Sequence, residues 1–236
     1  MVDVLISPRR QKGEPLLPPS GILALNPSDS ATMVSLARER ALRRHFLFNS
    51  QLFSNDRFFL AGPAVGAPMA AICLEKLIAL GGQRIIVYGW CGSIHRELRI
   101  NDLFLPTSGV SEEGTSPHYE PVRPWNPVLQ NVLQQALEKA GRSFRSGGIW
   151  TTDALYRETR EKIERYGSRG IFAVDMEYTA LQAVAAFREI LVGGVMLVSD
   201  ELFGERWKAG YGDKRFRGLS RQTLGLLVSF LQKAIV

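Results

Sequence analysis

Residues 85–93 read IIVYGWCGS. Four β-favouring residues lead into Gly89, and Gly92 follows three positions later. The pattern predicts a buried strand that runs into a tight turn between the two glycines. In open α/β sheets, turns at the carboxyl ends of strands are where ligands bind. This turn carries an indole, Trp90, where a small residue is expected.

Working outward, apolar runs alternate with amphipathic stretches. Upstream, GILAL (21–25) reads as a strand, 31–45 as a helix that ends in the basic LRRH, RFFLAG (57–62) as a strand and 69–82 as a helix closed by glycines. Downstream, strands are expected over 98–110, with a turn at Asn101–Asp102, and over 147–153, 170–177 and 190–200. Helices are expected over 126–141, 158–167, 178–188 and 220–236, the last with leucines at i, i+3, i+4 spacing. This alternation predicts an α/β fold with a mostly parallel or mixed sheet and helices on both sides. Residues 1–20 are polar and Pro-rich and read as a surface arm. Residues 21–236 show no repeat, linker or composition shift and are expected to form one domain.

The chain has 236 residues, 45% of them hydrophobic, enough to bury a core without a metal or disulfide staple. Its two cysteines, Cys73 and Cys91, give neither zinc spacing nor a disulfide framework, so no metal is expected. The start lacks the apolar core of a signal peptide, and no run reaches the roughly 18 residues of a membrane span. A cytoplasmic protein with no membrane partner is expected. The net charge of +6 is spread along the chain, with no block that interleaves cations and stacking aromatics, so no nucleic-acid partner is expected either.

Three strand ends share one pattern, an apolar run closed by glycine or an acid: VYGWCGS (87–93), FAVDMEYTAL (172–181) and VMLVSDELFG (195–204). Singly, Glu177 reads as a first-turn helix acid and Asp200 as a cap. Two acids and a glycine turn at three strand ends of one sheet point to a pocket.

These segments resemble the nucleoside phosphorylase superfamily. VDME followed by a small-residue helix, with SD at a strand end about twenty residues on, is similar to its signature. GPAVGAPMAAICLEKLIALG (62–81), the GxCG turn, INDLFLPTSGVSEEGTSPHYEP (100–121) and TTDALYRE (151–158) resemble further family segments. The resemblance implies a three-layer α/β/α sandwich with a central mixed sheet curling partly into a barrel. It implies cleavage of nucleoside N-glycosidic bonds, with no cofactor beyond phosphate as a possible co-substrate. Such cleavage needs a proton for the departing base and a clamp on a ribose that becomes oxocarbenium-like.

By resemblance, Asp200 would donate as a neutral acid toward the imidazole nitrogen of a purine, an apolar strand end favouring that form. Glu177 would hold the ribose hydroxyls, with Met176 packing beneath the sugar. Thr151, Thr152, Leu155 and Tyr156 would border the base. Gly89 and Gly92 would let the backbone approach the ligand. Arg44 falls where the family lends a phosphate-binding arginine to a neighbouring subunit, and its other reading is the basic end of a helix. A homodimer or hexamer is therefore expected.

The departures lie in the phosphate machinery. Val87, Trp90 and Thr32 stand where the phosphorylases keep an arginine, a hydroxyl donor and a second arginine. Trp90 would stack on a base, exclude an oxyanion or pack under the turn. His95 and Arg96 are further anion candidates, and His118 reads as a loop residue. The pyrimidine branch reads uracil with a Gln/Arg pair near TTDALYRE. Arg157 is the sole local match, so a purine is favoured over uridine. Three readings follow: phosphorolysis first, then hydrolysis of the methylthioadenosine/S-adenosylhomocysteine nucleosidase kind, then nucleoside binding without turnover. The hydrolases carry a glutamate just after the first strand, where this chain has only Asp29.

Overall fold

The alternating pattern folds into one ten-stranded mixed sheet, described here from a computed structural model over residues 4–120 and 124–233. Three stretches of the sequence reading lie outside the described residues: 1–3 of the expected arm, Pro121 at the end of the family-like segment, and 234–236 of the terminal helix.

The strands are β1 (Ser20–Ala24), β2 (Arg43–Leu47), β3 (Ser50–Ser54), β4 (Phe59–Gly62), β5 (Arg84–Ser93), β6 (Leu103–Glu112), β7 (Phe144–Thr152), β8 (Ile171–Asp175), β9 (Leu191–Glu201) and β10 (Lys208–Ala209). The helices are α1 (Ser30–Glu39), α2 (Ala67–Ala79), α3 (Val128–Lys139), α4 (Arg160–Gly167), α5 (Tyr178–Arg188) and α6 (Lys214–Lys233). β1 lies parallel between β4 and β5. β5 pairs parallel with β9 and, at its last two residues, antiparallel with β8. β8 follows β7 and β7 follows β6 in parallel, and β6 returns to β9 antiparallel. Strands β5, β8, β7, β6 and β9 therefore close into a ring, while β1, β4, β3 and β2 extend from it as an open sheet.

Helices cover both faces, giving the three-layer α/β/α sandwich with a central mixed sheet. On one face α2 and α5 bury Leu74, Leu77, Leu181 and Val184 against Val87 and Met196. On the other, Met33 of α1, Leu133 of α3 and Leu224 and Val228 of α6 pack on Ile22, Ile86 and Val195. Each such fully buried side chain contributes about 1.5–3 kcal/mol of apolar transfer energy. The buried residues of α6, Phe216, Ser220, Thr223, Leu224, Leu227, Val228 and Leu231, fall on one helical stripe.

Four local expectations are corrected. The helix from 31 stops at Glu39, where Ala41 takes a positive φ of 52°, and the supposed basic helix end is strand β2. β2 pairs with β3 as a hairpin that the sequence reading lacked, and β10 was likewise missed. β6 itself begins at Leu103, and the turn expected at Asn101–Asp102 precedes it. There is also no tight turn at Gly89–Gly92: β5 runs on to Ser93, with a register shift against β9 between Cys91 and Gly92. The glycines serve close approach instead. A Cβ at Gly89 would strike Leu25, and one at Gly92 would strike Leu202 and crowd Asp200 Oδ2.

Candidate functional site

A cavity of about 620 Å³ opens at the carboxyl ends of β1, β5, β8 and β9. That is where ligand crevices form in such sheets. Asn26 and Ser28 approach from the end of β1, and Trp90, Cys91 and Gly92 from β5. Val174, Asp175, Met176 and Glu177 come from the end of β8, and Ser199, Asp200 and Leu202 from β9. Val65, Leu155, Tyr156, Glu158, Trp207 and Tyr211 complete the wall.

Glu177 is placed by an abrupt strand-to-helix junction. β8 ends at Asp175, whose Oδ2 accepts from the backbone N–H of Tyr178 at 2.7 Å and of Glu177 at 3.2 Å, so α5 starts at once. Thr151 Oγ1 donates to Asp175 Oδ1 at 2.6 Å and fixes that carboxyl from β7. Glu177 Oε1 in turn accepts from Gly66 N at 2.6 Å. Gly66 has a φ of 81°, a left-handed conformation that favours glycine, and leads straight into α2. Burial, then the neighbouring Asp175 charge, pushes the Glu177 carboxyl above the usual carboxylate range. Asp175 is raised as well, chiefly by burial.

Asp200 sits half-buried near the end of β9, with both oxygens engaged. Ser199 Oγ donates to Oδ1 at 2.5 Å, and Trp207 Nε1 donates to Oδ2 at 2.8 Å. The chain after β9 doubles back as β10, pairing Ala209 with Asp200 and Lys208 with Glu201, which brings Trp207 over the acid. Glu201 pairs with Arg99 at 3.0 Å and with Lys208 of the returning strand at 3.8 Å.

Glu158 shares the cavity with Asp200, and sequence reasoning missed it. Burial, then the charge of Asp200, pushes its carboxyl up to about 8. It ends the TTDALYRE segment, but its direction depends on how the short helix Leu155–Arg157 turns the chain, which no motif specifies.

Asp200, Glu177, Met176, Gly92, Trp90 and Tyr156 are thus brought together around one cavity. Tyr156 is 95% exposed at its mouth. Thr151 and Thr152 are buried and do not line the cavity; Thr151 braces Asp175 and the N-terminus of α5 instead. Arg44 lies on β2 beside a separate open groove of about 810 Å³, with Phe46 and Gln51, and not at this cavity within one chain. His95 stacks on Phe172, 4.3 Å between ring centres, and neither it nor Arg96 or Arg157 reaches the lining. His118 lies in the short helix Ser116–Tyr119.

The electrostatics follow from this list. Four carboxyl groups, Glu158, Asp175, Glu177 and Asp200, line the cavity, and among the described lining residues there is no Lys, Arg or His. Val87 is fully buried in the apolar core on β5 and is not among the residues lining the cavity. Trp90 packs edge-on against Phe216 at 4.8 Å and forms part of the wall. Its buried indole N–H makes no well-aligned hydrogen bond, and neither does Asp29 Oδ2. The two approach closely enough for the indole to hold the Asp29 carboxyl down in part, against burial that raises it to about 6. Asp29 is 2% exposed, accepts from Ser220 Oγ at 2.6 Å and does not line the cavity.

The sequence pattern of the Phosphorylase superfamily matches residues 31–223. The chain is 28% identical over 156 residues to the DeoD-type purine nucleoside phosphorylase of Bacillus cytotoxicus, an alignment spanning 64% of this chain and 66% of that protein. The chain thus spans about two thirds of the length of the curated relatives it matches. Among solved structures, it superposes on purine nucleoside phosphorylase from Toxoplasma gondii in complex with immucillin-H with a TM-score of 0.77 and 19% identity, covering 92% of this chain and 93% of that one. It superposes on 5′-methylthioadenosine/S-adenosylhomocysteine nucleosidase from Campylobacter jejuni with a TM-score of 0.75 and 15% identity, covering 91% and 98%. Among the described residues, no helix is long and apolar enough to cross a membrane.

Proposed function

The chain belongs to the phosphorylase superfamily, and we propose that it cleaves the N-glycosidic bond of a purine-type nucleoside with water as the acceptor. The observation that carries this reading is the cavity lining: two strand-end acids, Asp200 and Glu177, in a pocket of nucleoside size whose described lining holds no cation. A phosphate dianion entering such a pocket meets four carboxyl groups and gains no charge-assisted bond to offset its desolvation. Water carries no such penalty.

In this reading Glu177, held by Gly66, accepts from the ribose hydroxyls and fixes the sugar. Asp200 addresses the imidazole nitrogen of the base and supplies its proton as the C1′–N bond breaks, the bonding pair leaving with the base. Water adds to C1′ and releases a proton, which restores the acid. Met176 packs against the sugar, and Tyr156 and Trp207 flank the base.

One observation favours phosphorolysis as a second reading. The β2–β3 hairpin presents Arg44 beside Phe46, 80% exposed, and Phe48, 58% exposed. A second copy seated on this apolar hairpin would cover it and carry Arg44 toward the partner's cavity. A nucleoside panel, assayed for base release with and without phosphate, separates the readings. Hydrolysis predicts release that phosphate does not accelerate. Strict phosphate dependence would establish phosphorolysis instead, and binding without release would leave a nucleoside-binding protein.

A further inference from the structure

Of the four carboxyl groups around the cavity, three are held by the chain. Asp200 accepts from Ser199 and Trp207, Glu177 from Gly66, and Asp175 from Thr151 and two backbone N–H groups. Glu158 is the exception: among the described residues, no hydrogen bond or ion pair engages its side chain. It is drawn partly out of water beside a second carboxyl, with no donor from the protein to compensate. A carboxyl in that position gains most from a donor that arrives with the ligand.

The base end of the cavity limits what that donor is. On a purine, the imidazole nitrogen that Asp200 addresses and the substituent at C6 lie on the same edge. An amino group there offers hydrogens to a second carboxyl, whereas an oxo group offers only lone pairs. In that reading Tyr156 and Trp207 would flank either base alike, so the discrimination falls on the carboxyl. We propose that Glu158 is a specificity-determining residue that accepts a hydrogen bond from an exocyclic amino group of the base, beside the Asp200 contact, so that the cavity selects 6-aminopurine nucleosides over their 6-oxo counterparts. The inference rests on the nucleoside reading given above. In the empty cavity burial and the neighbouring Asp200 favour the protonated Glu158 carboxyl; as the amino group binds, that proton is released to solvent and the carboxylate accepts the amino hydrogen instead.

The test compares adenosine with inosine, which share size and sugar and differ at C6, as kcat/KM for base release at pH 9, above the value of about 8 to which the cavity pushes the Glu158 carboxyl. The wild-type protein is expected to favour adenosine by about tenfold or more, in line with one charge-assisted hydrogen bond. Glu158→Gln turns either a carbonyl or an amide N–H to the base and is expected to bring the ratio to within about threefold of unity. Glu158→Ala, which removes the acceptor, is expected to do the same. A wild-type ratio near one, or a ratio unchanged in both variants, overturns the inference while leaving the cleavage reading intact. If neither nucleoside releases base, the cleavage reading fails, and equilibrium dialysis of the same two nucleosides decides this one. Tighter adenosine binding that the variants lose supports it; equal binding, or none, overturns it.

Discussion

The indole N–H of Trp207 donates to Asp200 Oδ2 at 2.8 Å, so a residue on the returning chain after β9 holds the acid near the end of that strand. Trp207 is 58% exposed, which marks the contact as an orienting one rather than core packing. Trp207→Phe keeps the ring and deletes the donor. A hydrogen bond that orients the acid is worth about 0.5–1.5 kcal/mol, so kcat/KM for base release is expected to fall by about threefold to tenfold with little change in melting temperature. Equal activity in the variant would show that Asp200 is positioned by Ser199 alone.

Asp200→Asn retains an acceptor for one neighbour and removes the proton donor. The fold is expected to survive, and turnover to fall by about 10²–10⁴-fold, the usual worth of general-acid help. Circular dichroism establishes folding, and chromatographic base release gives the rate. A folded variant at the wild-type rate would remove Asp200 from the chemistry.

Glu177→Gln still offers an oxygen to Gly66 N but loses the charge that holds two hydroxyls. Ribonucleosides are expected to lose about 1.5–3 kcal/mol of binding for each hydroxyl bond lost, and 2′,3′-dideoxy analogues to lose little. Calorimetric titration of both classes reads the difference; parallel losses would assign Glu177 a structural role only.

Glu158 also makes stability depend on pH. Burial, then the charge of Asp200, pushes its folded-state carboxyl up to about 8, against 4.5 for the ordinary side chain. The folded state then binds its proton more tightly than the unfolded state, so this contribution is fully present below pH 4.5 and is lost as pH rises through 8. Glu158→Gln is expected to melt increasingly above the wild type between pH 5 and pH 8.5. Parallel melting curves across that window would show that the carboxyl is freely solvated.

Trp90→Ser opens space against Phe216 without supplying a cation. It is expected to lower stability, as large-to-small changes at packed sites do, and to leave phosphate affinity as weak as in the wild type. Adding Val87→Arg does not repair this, because Val87 lies in the apolar core and the guanidinium would be buried there unpaired. Phosphate titration followed by tryptophan fluorescence checks both statements; sub-millimolar saturation of turnover by phosphate would place a cation, such as Arg44 of a neighbouring copy, in the cavity.

By itself, the sequence determined the fold class and the strand-end acids. Apolar runs such as IIVY and VMLV alternate with helical stripes such as that of α6, and each is a local pattern with its own period. The chain thereby carried the α/β order, the start of α5 at Tyr178 and the positions of Glu177 and Asp200 at strand ends. It did not carry the β2–β3 hairpin, because Arg43 to Leu47 are strand residues only through pairing with Ser50–Ser54 and have no periodicity that separates them from a helix end. Nor did it show that Gly89 and Gly92 lie within a strand, since their need for glycine comes from Leu25 and Leu202, which are distant in sequence. The roles of Thr151 and Glu158 were decided in the same way. Thr151 turns inward because Asp175 meets it across the β7–β8 pair, and Glu158 faces Asp200 because a short helix re-aims the chain after β7. Periodicity records which side of an element is buried; what a side chain meets there depends on elements that only the closed ring of β5, β8, β7, β6 and β9 brings together.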